Sequence, residues 1–60
     1  MNFEAYIRQV QAQLRAKPTS VIREEIKLYR SLLSKGVPDE IYESCLEQEM
    51  ARRQSLQEAA

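Results

Sequence analysis

Cys45 is the side chain in this 60-residue sequence whose type most readily does covalent chemistry, and the sequence holds no histidine to activate it. A thiol attacks as its thiolate, which needs a neighbouring base or cation. No partner for Cys45 follows from spacing, so it reads as a small buried hydrophobe. One Cys and no His also exclude a disulfide or a zinc site built within the chain. No cofactor-binding pattern is present.

Four acids, Asp39, Glu40, Glu43 and Glu47, follow one another closely. A calcium loop needs alternating oxygen ligands around a central Gly, and that pattern is missing. Acid–base catalysis by paired carboxylates needs a cleft, whereas these acids lie on a convex helix face. They read as a solvated face. The bases form two rows, Arg8 with Arg15, and Arg23, Lys27 and Arg30 with Ser34. A helix can present such a row to phosphates. Yet the chain carries nine bases against nine acids, and no glycine-containing helix-turn-helix connection appears around residues 16–20. The charge is uneven, with seven bases and three acids in residues 1–36 and two bases and six acids in residues 37–60. Such asymmetry suits neutralisation between the two halves of one bundle, a basic face for an acidic partner, or self-association of opposite ends.

These groups must be carried by helices. One Gly and two Pro leave little material for turns, and 43% hydrophobic with 30% charged residues is ordinary for a globular helical chain. The stretch from 21 to 33, VIREEIKLYRSLL, has the widest apolar face. At 100° per residue, Ile22, Ile26, Tyr29 and Leu33 share one line. Val21, Leu28 and Leu32 widen it to an arc of about 160°, too broad for one neighbour and suited to two. Glu25 falls inside this arc, and we expect its stem to pack while its carboxylate stays wet at the rim; the alternative is a pair with a base from a neighbouring helix or another subunit.

The expected fold is all-α, a three-helix antiparallel bundle with helices at about 3–16, 19–34 and 38–56 and helix 2 central, in one small domain. Asn2 is the expected N-cap of helix 1, whose stripe is Phe3, Ile7, Val10 and Leu14. Pro18 ends helix 1 and suits the first turn of helix 2, where Thr19 and Ser20 could satisfy N–H groups. Gly36 is expected to close helix 2 with a positive φ, bringing Leu32 against Val37. Helix 3 opens with Pro38, Asp39 and Glu40, and buries Ile41, Tyr42, Cys45, Leu46 and Met50. Past Met50 its stripe degrades, and residues 51–60 are expected to overhang or fray.

No run of 18 apolar residues exists, and the N-terminus has no basic-then-apolar leader, so a cytoplasmic protein without membrane association is expected. The initial Met suggests a complete small reading frame. The expected function is that of a regulatory or adaptor protein, not an enzyme, that contacts a protein partner or itself as a homo-oligomer. Glu49, Arg53, Leu56 and Gln57 form one row on helix 3 with Met50 beside it, and Glu49, Met50, Arg53 and Leu56 are the expected interface. The alternative is a nucleic-acid-binding regulator using Arg8, Arg15, Arg23, Lys27 and Arg30.

Overall fold

Asn2 starts the fold as the sequence implies: its Oδ1 accepts the N–H of Glu4 at 3.1 Å and of Ala5 at 3.3 Å, satisfying two donors that the first helical turn leaves free. The structure is a computed structural model and describes residues 2–59; the expectations that fall on Met1 and Ala60, an intact start and the last residue of the overhang, lie outside the described residues. α1 spans Phe3–Arg15, α2 spans Thr19–Arg30 and α3 spans Val37–Ala59.

The three-helix bundle is present, but its centre is α3 rather than helix 2. α1 and α2 each pack along α3 and scarcely meet one another. Gln11 of α1 donates to Gln48 at 3.4 Å, while Arg30 of α2 donates to Glu47 at 3.1 Å. Thr19, at the start of α2, touches Arg53 near the far end of α3. Hence α1 runs with α3 and α2 runs against it. The buried apolar residues among those described are Val10, Leu14, Ile22, Ile26, Cys45 and Leu46, with Ile7, Tyr29, Ile41, Tyr42 and Met50 packed around them. α3 serves both neighbours because its inward residues divide, Ile41 and Cys45 beside Ile7 and Met50 beside Ile26. Glu49 falls within the apolar arc of α3, between Cys45 and Leu46, and is buried with them.

The turn after α2 also departs from expectation. α2 ends at Arg30, not Ser34, with Ser31 as its C-cap. The Ser31 hydroxyl donates to the Leu28 carbonyl at 2.8 Å, a local bond that competes with helix continuation. Gly36 has no positive φ, so the expected left-handed cap is absent. Gly36 instead begins α3: its carbonyl accepts the Glu40 N–H at 3.1 Å, and its own N–H donates to Asp39 Oδ2 at 3.1 Å. That is the reach-back half of a capping box, read from the other side of the turn. Shortening α2 moves Leu33 off the core face and wholly into solvent. At the start of α2, Pro18 takes the N-cap position and no side chain caps the helix; the Thr19 hydroxyl is used by Arg53 instead.

Candidate protein-docking surface

Arg53 and Glu49 stand one turn apart on α3, and both turn inward. Arg53 Nε donates to Glu49 Oε2 at 2.7 Å, and Arg52 reaches the same carboxylate with Nε at 3.1 Å and Nη2 at 2.7 Å. Arg53 Nη2 then donates to the carbonyls of Lys17 at 2.6 Å, Leu14 at 3.0 Å and Arg15 at 3.5 Å, and Nη1 donates to Thr19 Oγ1 at 2.9 Å. A cation at the carbonyl end of a helix meets both the dipole and the unpaired acceptors there. α1 therefore receives its cap from α3. Hydrogen bonds from Arg52 oppose the desolvation of Glu49 and, with those from Arg53, hold its carboxyl down at about 2.

A second polar cluster sits in the gap that α1 and α2 leave over α3. Lys17 Nζ donates to Glu25 Oε1 at 2.6 Å and to the Tyr42 hydroxyl at 3.1 Å, and Tyr42 donates to Glu25 Oε2 at 2.7 Å. Glu25 is thus not the wet rim residue expected from its position in the arc. It is three-quarters covered, because Lys17, just before Pro18, lies back over α2. Burial alone would raise the Glu25 carboxyl; the bonds from Lys17 and Tyr42 outweigh it and leave the group below its ordinary range. The bond that Lys17 donates to Glu25, then the one it donates to Tyr42, raises the Lys17 ammonium above its ordinary value. Sequence reasoning missed Lys17 and Tyr42 as partners. The signal was a charge inside an apolar arc, with a long cation eight residues earlier.

The four residues expected to form an interface on α3 meet different fates. Glu49 and Arg53 are occupied within the chain as described, Met50 is half-buried against the core, and Leu56 remains 57% exposed. The two basic rows are not brought together, because α3 runs between them. Arg8 and Arg15 are exposed on α1 and Arg23 on α2, whereas Lys27 pairs with Glu24 and Arg30 with Glu47. Of the acids, Glu43 is partly covered and pairs with Lys35. The Cys45 thiol is buried, which raises its pKa and suits a packing role. No helix among the described residues is long and apolar enough to cross a membrane.

Comparison of the chain with protein-family models, curated proteins and solved structures returns no match. What the surface offers must then be read from its own chemistry. Exposed large apolar side chains gather in two places. Phe3 and Tyr6, with Pro38 and Ile41, line a shallow apolar groove where α1 begins beside α3. Val21 and Leu28 lie on the outer side of α2, with Leu32 just past its end; they are 40%, 58% and 38% exposed. α2 has an apolar arc wide enough for two neighbours and packs closely on one, α3. The other half of the arc is open.

Proposed function

We propose that this chain is a small cytoplasmic regulatory or adaptor protein that acts through protein–protein contact and associates with itself. The observation that supports the reading is the half-covered arc of α2. Val21 and Leu28 stand seven residues apart on a helix whose inner line, Ile22 and Ile26, is already buried on α3, and Leu32 follows just past its end. Apolar residues in helical register that remain exposed suit a helix-against-helix contact with another chain. The reading involves no catalytic step.

Sedimentation equilibrium across a concentration series tests this reading. An apparent mass that rises with concentration supports self-association. A mass equal to the 7.0 kDa of one chain at every concentration up to millimolar would remove it.

A further inference from the structure

α1 is held on α3 unevenly along its length. Its inward side chains grade from open to covered: Phe3 is 49% exposed, Tyr6 38%, Val10 5% and Leu14 0%. Apolar gaps flank its first half. One is lined by Ile7, Ile41 and Cys45, the other by Phe3, Tyr6, Pro38 and Ile41. A helix seated firmly along its whole length would close such gaps, because well-packed interiors leave few voids.

Polar contacts follow the same gradient. Arg53 grips the carbonyl end of α1 through Leu14 and Arg15, and the connection beyond it through Lys17. Further back, Gln11 donates to Gln48 on the surface at 3.4 Å. Among the described residues, no hydrogen bond or ion pair joins residues 3–10 to α3. α2 differs. Thr19, Glu25 and Arg30 tie its start, middle and end to α3 through Arg53, Tyr42 and Glu47. Because α1 and α2 scarcely touch, the start of α1 can part from α3 without dragging α2 along.

What the start of α1 covers is the Cys45 side of α3. The two helices run parallel with Gln11 level with Gln48, which sets Ile7 and Arg8 level with Ser44 and Cys45. Cys45 is buried, and Ile7 packs on the cluster that contains it.

We propose that residues 3–10 of α1 form a hinged cover, which lifts from α3 while Arg53 keeps its grip on the end of α1 and α2 stays docked, and that lifting bares the Cys45 thiol. Once lifted, so short a segment gains nothing from packing and frays. The opening is partial and costs less than global unfolding, as a segment with few buried contacts allows.

Cys45 reports the opening, because it is the one thiol of the chain. Its labelling by a thiol reagent is measured on the full-length protein in native buffer and in low urea, and scaled by the rate for the urea-unfolded chain. Labelling should run at least about tenfold faster than global unfolding permits, and should respond only weakly to urea. A rate no faster than global unfolding permits, with the full urea dependence, overturns the cover. Two truncations separate the helices. Ile7→Ala loses contacts made only in the closed state, so it should speed labelling roughly tenfold. Ile26→Ala loses contacts present in the closed and open states alike, so labelling in native buffer should be unchanged although global stability falls. Equal acceleration by both overturns the cover. Should either variant fail to fold, hydrogen exchange of the wild-type chain decides. Amides of residues 7–10 should exchange faster than those of residues 23–28 and 46–50, and equal protection of the three segments overturns the cover.

Discussion

Arg53 donates to the carbonyl of Leu14, 39 positions earlier in the chain, at 3.0 Å. One guanidinium thereby joins the end of α1, the start of α2 and the distal part of α3. Arg suits this place because its planar fork presents several donors at fixed angles, which a lysine ammonium cannot reproduce.

Removing that fork should be costly. Arg53→Ala leaves the Lys17 carbonyl short of a donor and deprives buried Glu49 of one of its two cations. Losing a charge-assisted bond and exposing unsatisfied groups costs about 2–4 kcal/mol. For a domain of this size that lowers Tm by more than about ten degrees. Arg53→Lys should recover only part of the loss. Thermal melts followed by circular dichroism give both values. A chain ending at Glu49 should melt like Arg53→Ala or worse, and one ending at Gln54 should melt nearer to wild type.

Acid should unfold the protein through Glu49. Its carboxyl falls from an ordinary 4.5 to about 2 in the folded chain. A group depressed on folding stabilises above its unfolded pKa and loses that contribution as pH falls through the folded value. Stability should therefore be flat above about pH 5 and decline towards pH 2, by about 3 kcal/mol from this group. The lowered Glu25 acts in the same direction. Denaturant titrations at successive pH values should show a shallower acid limb in Glu49→Gln. An equally steep limb in that variant would assign the decline to other carboxylates.

Gly36 offers a test with a distinctive sign. As the residue before α3, without positive φ, it tolerates a β-carbon: the nearest atoms would be Pro38 Cδ at 3.6 Å and Asp39 Oδ2 at 3.8 Å. Gly36→Ser should be neutral or stabilise by a few tenths of a kcal/mol, since serine is the better N-cap. A left-handed glycine at the end of α2 would instead lose about 1 kcal/mol on the same change. Urea titration separates the two.

Nucleic acid provides a control on the functional reading. The rows on α1 and α2 lie either side of α3, and two of their five bases are paired with acids. No mobility shift is expected with pooled DNA or RNA at low salt. A shift that weakens steeply as salt rises, and vanishes in Arg8→Ala with Arg15→Ala and Arg23→Ala, would favour the phosphate-binding alternative.

Much of the fold was legible because helical period and punctuation are local signals. Asn2 and Pro18 mark ends, and the repeats of Val10 with Leu14 and Ile22 with Ile26 mark buried lines. What was not legible depends on pairs distant in sequence. Glu49 and Arg53 looked like the decay of a stripe, because periodicity counts apolar residues and cannot foresee a buried charge that is paired. Gly36 was placed on the wrong side of its turn because the same residue suits a helix end and a helix start. Ser31, an ordinary polar residue, decided which. The α2 arc was drawn over residues 21–33, but the helix stops at Arg30 and of that arc only Ile22 and Ile26 are buried, so the second neighbour it implied is not found within the chain. α1 and α2 scarcely touch, and half the arc was left open.

Intermolecular nuclear Overhauser effects in a one-to-one mixture of isotope-labelled and unlabelled chains test the open face of α2 most directly. The account predicts cross-chain contacts from the methyl groups of Val21 and Leu28, and it predicts that Phe3 and Leu56 show none. Cross-chain contacts confined to Phe3, Val37 or Leu56, or none at millimolar concentration, would contradict it.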